Sequence, residues 1–352
     1  MPVIDADAHI EEGVACWQFL PERLRPRRPM PVTFPSDTVY GGGMTVWVID
    51  RKVRQHTVPS AARGAGGSPS ARALTDVPAR LAELDRMGVT VQVVYPSLFL
   101  GNVAEDLELE TALCVSYNSF LAEACSRAGG RLSYAAVVPW RDPAAAAGEI
   151  DRVARLGNCV AVMARGVEWD YPLDHPRFEP IYAALDQHRL TLAVHVGSGS
   201  SAAEALDGAP SDQLGLQRAH STRQLGELFS MYAFDRLLSS TIPDRFERVR
   251  FLWLELGCDW LPNALRALTP AGRERAERLL GGRLFFSCEP AEDLEYVIGW
   301  VGDRCLVAGS SSRRDGSGQR GDFATAFREQ SGLAEQSAER ILWENPSRCY
   351  NV

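Results

Sequence analysis

The sequence predicts a (β/α)8 TIM-type barrel with a metal site at one end, and three observations carry that expectation. Eight short β-branched or apolar runs alternate with amphipathic helical stretches along the chain, the pattern of parallel strands covered by helices. The first run closes on Asp7-Ala8-His9 and a later one on Val194-His195, so metal-ligating side chains fall where strands finish. The length of 352 residues suits one such barrel with an insertion.

Taken in order, strand one covers Pro2–Ala8. Helix Asp76–Met87, apolar at helical spacing, leads into strand two, Val89–Tyr95. A helix around Leu109–Ala128 precedes strand three, Leu132–Val138. Strand four is Cys159–Ala164, strand five Leu190–Val196, strand six Val249–Leu254, strand seven Arg283–Ser287 and strand eight Cys305–Gly309. Helical patterns at Pro143–Leu156, Pro176–Gln187, Gln224–Phe234 and Ala291–Val301 fill the spaces between them. Residues 13–75 break the alternation, being rich in Pro, Gly, Arg and Ser. They read as an insertion after strand one within a single 1–352 domain, a lid or substrate wall over the barrel mouth. A small hairpin, Met44–Asp50 with Val53–Val58, is expected inside it.

Composition removes several function classes. A net charge of −8 and pI near 5.4 argue against a nucleic-acid surface. No apolar run approaches the roughly 18 residues that span a bilayer, and no signal peptide opens the chain, so a cytoplasmic protein is expected. The eight cysteines are scattered without a CxxC pair, which excludes a zinc knot or disulfide framework and leaves small buried hydrophobes. Lys52 is the only lysine, in a polar Arg-Lys-Val-Arg stretch. A carboxylated-lysine metal bridge, a Schiff base and a P-loop therefore have no residue to use.

In such barrels the C-terminal strand ends converge on one face, so reading those ends is reading the site. Strand one supplies Asp7, His9 and, about a turn later, Glu12; strand five supplies His195; strand six supplies Glu255; the turn after strand seven supplies Glu289. His220 follows strand five, where a helix start would aim it inward. Period-two alternation puts Asp7 and His9 on the same side of their strand. Imidazole and carboxylate without thiolate suit Zn²⁺, Mn²⁺ or Fe²⁺. Glu255 follows the apolar Phe251-Leu252-Trp253-Leu254, where a lone buried carboxylate is costly, so a metal or arginine partner is expected. His56, His175 and His188 read as ordinary polar residues, and Trp47, Trp253 and Trp260 as core or substrate wall.

With these residues in view, the chain resembles the amidohydrolase-2 barrels, which include aminocarboxymuconate-semialdehyde decarboxylase and γ-resorcylate decarboxylase. The resemblance rests on Ile4-Asp5-Ala6-Asp7-Ala8-His9, Tyr117-Asn118, Arg131-Leu132, Val138-Pro139, Val194-His195, Glu255 through Trp260-Leu261-Pro262, Ser287-Cys288-Glu289-Pro290, and Glu344-Asn345-Pro346. It implies Asp7, His9 and His195 as the first three metal ligands. It also implies a strand-eight Asp that binds metal and handles protons, but here Ser310 stands at that place and Arg313 at the following His. Serine is a poor ligand and no base near neutral pH.

The remaining carboxylate-rich set resembles a branch of this fold, the non-haem diiron hydroxylase of platensimycin and platencin biosynthesis. That resemblance implies a monooxygenase with two irons and O₂, an external reductant, and a diterpenoid coenzyme A thioester as small-molecule substrate. Asp7, His9, His195, His220 and Glu255 would hold the irons, with Glu12 or Glu289 completing or bridging them. Glu255, Glu289 and Ser310 would lie nearest the chemistry, Arg313 and Arg314 would take an anionic substrate tail, and the family implies a homodimer. The alternatives are a decarboxylase or hydrolase with one Zn or Mn, and a catalytically silent barrel.

Overall fold

Eight strands form one parallel sheet whose neighbours follow sequence order: β1 (Ile4–His9), β2 (Val91–Tyr95), β3 (Leu132–Ala136), β4 (Cys159–Arg165), β5 (Thr191–His195), β6 (Arg250–Leu254), β7 (Leu284–Ser287) and β8 (Leu306–Val307). The Ala6 amide donates to the Ala308 carbonyl at 3.0 Å, joining the first strand to the residue after the last and closing the sheet into a (β/α)8 barrel. The computed structural model describes residues 1–33, 45–55, 68–200, 216–310 and 323–352.

The strands are covered on both faces, and so read as unbroken apolar runs. All of β3, β5 and β7 is buried. Between strands and helices lies an aromatic layer in which Trp253 of β6 stacks on Phe286 of β7, ring centroids 5.6 Å apart. Phe234 meets both from the helix side, and Trp260 meets Phe286 and Phe234. Burying each such ring contributes roughly 1.5–3 kcal/mol. The helices begin where the sequence supplies caps: Asp76, Asp106, Asp142, Thr269 and Asp293 each accept the amide three residues on.

Register sets the site. His9 lies opposite Tyr95, and His195 lies opposite both Arg165 and Leu254, so the polar ends of β1, β4, β5 and β6 finish at one level. The β1–β2 pairing shifts between Asp5 and Ala8.

All eight expected strands are present. Strand eight is only two residues long, because Asp303–Cys305 forms a 3₁₀ turn before it. The helix expected at Gln224–Phe234 is much longer, Leu216–Ser239, and the one expected from Pro176 begins as a 3₁₀ turn before Glu179–His188. In the insertion the hairpin is Thr45–Ile49 with Lys52–Gln55, turning on the left-handed pair Asp50 and Arg51. A third strand, Met30–Thr33, pairs with it and had no period-two signal in its four residues. Residues 56–58 of the expected hairpin and His56 lie outside the described residues. Trp17, Leu20, Leu24, Trp47 and Ile49 are buried, so this part of the insertion packs into the main core. Arg27 forks onto Asp50 (2.8 Å to each oxygen) and reaches Asp106 at 3.2 Å, tying the insertion to the helix Leu107–Ser126.

The last helix, Asn345–Tyr350, packs beneath the barrel. Its Cys349 carbonyl accepts the Thr191 hydroxyl at the start of β5. The Tyr350 hydroxyl donates to the Ala6 carbonyl at 2.6 Å and meets the Tyr95 hydroxyl at 2.9 Å. No helix among the described residues is long and apolar enough to cross a membrane.

Candidate metal centre

Asp7, His9, His195 and Glu255 each present a ligand atom within 4.8 Å of all the others. His9 Nε2 is 3.7 Å from Asp7 Oδ1 and 3.5 Å from Glu255 Oε1, and His195 Nε2 is 3.7 Å from Asp7 Oδ1. An ion about 2.1 Å from each ligand atom would set neighbouring ligands about 3.0–3.4 Å apart, so small side-chain movements close this set around one ion. No other such group occurs among the described residues.

Hydrogen bonding points the same way. Asp7 Oδ1 and Oδ2, His9 Nε2 and His195 Nε2 are buried and make no hydrogen bond, an arrangement costing roughly 1–3 kcal/mol per group unless something else satisfies it. The opposite ring nitrogens are committed. His9 Nδ1 donates to the Pro96 carbonyl and His195 Nδ1 to the Val196 carbonyl, both at 2.9 Å. Those bonds fix the tautomer and leave each Nε2 lone pair facing its neighbours, as in metal-bound histidines. The tilted ring of Tyr95, 5.7 Å from that of His195, supports it from below. At Gly309 an added Cβ would lie 2.5 Å from the Asp7 Cβ, so only glycine lets the end of β8 approach so closely.

Electrostatics couple the four. Against the penalty of burial, the nearby Glu255 and Asp7 carboxylates push the His9 imidazole up to about 9. Glu255 moves oppositely: burial would raise it, but the His195 and His9 imidazoles and Arg223 hold it well below the usual carboxylate range. Glu255 also sits in left-handed backbone, φ +57, a strained state for a non-glycine residue and one typical of functional positions. Arg223, on the long helix after β5, donates to the Glu255 carbonyl at 3.0 Å and lies 3.9 Å from Oε2. Glu255 thus has the arginine of the two partners expected for it, a metal or an arginine.

The other expected site residues divide. Glu12 is buried outside the four-residue group; its Oε1 accepts the Ser97 and Leu98 amides at 2.8 Å while Oε2 makes no hydrogen bond. Burial raises its carboxyl to about 7, and its charge reaches His9. Glu289 is buried after β7 and also stands outside the group. Ser310, expected near the chemistry, is instead committed to structure: its amide and hydroxyl donate to the two Asp5 oxygens at 2.8 and 2.7 Å. The His220 side chain and all of Arg313 and Arg314 lie outside the described residues. His175 caps the Arg177 amide and His188 pairs with Asp151, both ordinary roles.

Three important residues went unread in the sequence. Asp5 shares the alternation of Asp7 and His9, which was the available signal, and is fully buried between Ser310 and Gln92. Gln92 in turn accepts from Arg80 at 2.8 Å. Arg223 and Glu292 carry no local pattern, because their roles come from tertiary approach alone.

The sequence profile of the Amidohydro_2 family, described as Amidohydrolase, matches residues 4–279. The chain belongs to the amidohydrolase family. No curated protein matches it in sequence. Among solved structures, an amidohydrolase from Mycobacterium avium subsp. paratuberculosis superposes with a TM-score of 0.77 at 18% identity, over 98% of this chain and 97% of that one. A dihydroxybenzoic acid decarboxylase from Polaromonas sp., with bound manganese and 2-nitroresorcinol as inhibitor, gives 0.60 at 16% identity over 77% and 85%. A 5-carboxyvanillate decarboxylase from Novosphingobium aromaticivorans, complexed with manganese and a nitrobenzoic acid, gives 0.55 at 16% identity over 78% and 79%. At these identities the likeness is one of fold.

Proposed function

We propose that this amidohydrolase-family protein is a mononuclear Mn- or Zn-dependent decarboxylase of small hydroxylated aromatic acids. The observation carrying the reading is the one convergent set among the described residues, Asp7, His9, His195 and Glu255, with its Asp7 oxygens and imidazole Nε2 atoms making no hydrogen bond. Manganese in decarboxylases of like fold supports the choice of metal and substrate class. The diiron hydroxylase reading has less support, since Glu12 and Glu289 stand outside the group and one cluster fits one ion.

A divalent ion held by these residues would supply Lewis acidity toward a substrate oxygen. The chain supplies the rest. Loss of CO₂ breaks a carbon–carbon bond and leaves its electron pair on carbon, which must then take a proton. Glu12 holds a proton at its carboxyl near pH 7, and we assign it that step in place of the strand-eight Asp that Ser310 has replaced. Against the cost of burial, the His195 and His9 imidazoles, with Arg223 behind them, keep Glu255 ionised.

The test is metal content per chain followed by CO₂ release from hydroxybenzoates and carboxyvanillate-type acids by Mn²⁺- and Zn²⁺-loaded protein. One ion per chain with CO₂ release is expected. Two irons with substrate-dependent O₂ uptake would replace this reading by the oxygenase. Glu12→Gln should lower turnover by roughly 10²–10⁴-fold, the usual contribution of a general acid, while leaving metal content intact.

A further inference from the structure

We propose that Glu292 is a positioning residue for the metal centre, tying the loop after β6, which carries Glu255, to the loop after β7, which carries Glu289. The inference rests on the metal-centre reading above. Both carboxylate oxygens of Glu292 are engaged. Oε1 accepts the Cys258 amide at 2.6 Å and the Asp259 amide at 3.1 Å. Oε2 accepts the Glu289 amide at 2.6 Å and the Cys258 thiol at 3.3 Å. Three backbone donors from two loops thus meet on one side chain, and each loop holds one of the carboxylates read from the sequence as site residues.

The backbone between Glu255 and Cys258 is shaped to this contact. Glu255 and Gly257 both lie in the left-handed region, φ +57 and +68. An added Cβ at Gly257 would fall 2.3 Å from Glu292 Oε1, so the glycine is required by space as well as by φ. Arg223 holds the Glu255 carbonyl from the other side. The strained turn that aims Glu255 at His9 is therefore held at both ends: by Arg223 at Glu255 and by Glu292 at Cys258. A strained backbone persists only where its surroundings over-determine it. An amide at position 292 would keep one acceptor oxygen and set an NH₂ against backbone N–H groups, while an aspartate would fall a methylene short.

The experiment compares wild type, Glu292→Gln and Gly257→Ala for Mn²⁺ dissociation constant, thermal midpoint and amide exchange. The two variants attack one contact from opposite sides, so a folding failure in either leaves the other to decide. Expected is a 10–100-fold weaker Mn²⁺ affinity, the usual cost of removing an outer partner of a ligand. Faster exchange should appear together at Cys258, Asp259 and Glu289. A lowered midpoint with Mn²⁺ affinity within about threefold of wild type would reduce Glu292 to a loop cap and overturn the proposal. Wild-type protein that binds neither Mn²⁺ nor Zn²⁺ would overturn the metal-centre reading instead, and joint loss of amide protection would still judge the tie between the loops.

Discussion

The ends of β1 and β8 lie side by side, yet they use polar groups in opposite ways. At the end of β1 both oxygens of Asp7 and the Nε2 of His9 are buried without a hydrogen-bond partner. At the end of β8 the Ser310 amide and hydroxyl are both spent on Asp5, whose second oxygen also takes Gln92 at 2.7 Å. One end retains unsatisfied ligand atoms; the other has been closed off. A buried carboxylate is therefore no site marker by itself. Asp5 and Asp7 are both fully buried and two residues apart, and only their hydrogen-bond accounts tell ligand from scaffold.

The largest test of that contrast is Asp7→Ala, with His195→Ala beside it. Each should weaken Mn²⁺ binding by more than about 100-fold, beyond the 10–100-fold that outer partners cost. Equilibrium titration of chelator-treated protein reads this directly. Above about pH 9, where His9 is neutral, metal-free Asp7→Ala should unfold no earlier than wild type, because it then removes a buried carboxylate that accepts no hydrogen bond. A clear loss of metal-free stability would make Asp7 scaffold after all.

Next comes pH. In metal-free protein the His9 imidazole is pushed above its ordinary 6.5 to about 9, so its proton must leave before Nε2 can serve as a ligand. Mn²⁺ affinity should strengthen by up to about tenfold per pH unit between 7 and 9, then level off. The stability that the charged imidazole contributes is fully present below pH 6.5 and is lost as pH rises through about 9. The stabilisation gained on adding Mn²⁺ should therefore grow over that same interval, as thermal midpoints with and without the ion would reveal. A flat affinity profile would mean that His9 does not ligate.

The smallest effect on metal belongs to Ser310→Ala. It removes one of the two donors on Asp5 Oδ2, with Gln92 remaining, and should cost about 0.5–1.5 kcal/mol in denaturant unfolding. Mn²⁺ affinity should stay within about threefold of wild type. A loss comparable to that of Asp7→Ala would return Ser310 to the centre.

The barrel was readable in the sequence because parallel strands covered on both faces leave apolar runs, and all eight were visible as such. The ligand pair of β1 was readable because period-two alternation is local, and His195 because it closes a run. What stayed hidden depends on contacts between residues far apart in the chain. Arg223 reaches Glu255 from a helix, and Glu292 meets amides from two loops. Neither leaves a pattern in its own neighbourhood. Ser310 shows the same limit from the other side: the residue was noticed, but its partner Asp5 could be found only in three dimensions.

Ala6, which lies between Asp5 and Asp7, gives its amide to Ala308 and its carbonyl to Tyr350. Strand one is thus the first part of the barrel to leave the ribosome and the last to be completed. At roughly 5–20 residues per second, tens of seconds separate the two events. During that interval the Asp7 and His9 pair lies on an unclosed edge, with half of its ligand partners still to be made. The centre is finished only when the last helix reaches the floor of the barrel, so a chain shortened by its final turn would carry both strand-one ligands on a strand that has lost the Tyr350 bond to the Ala6 carbonyl.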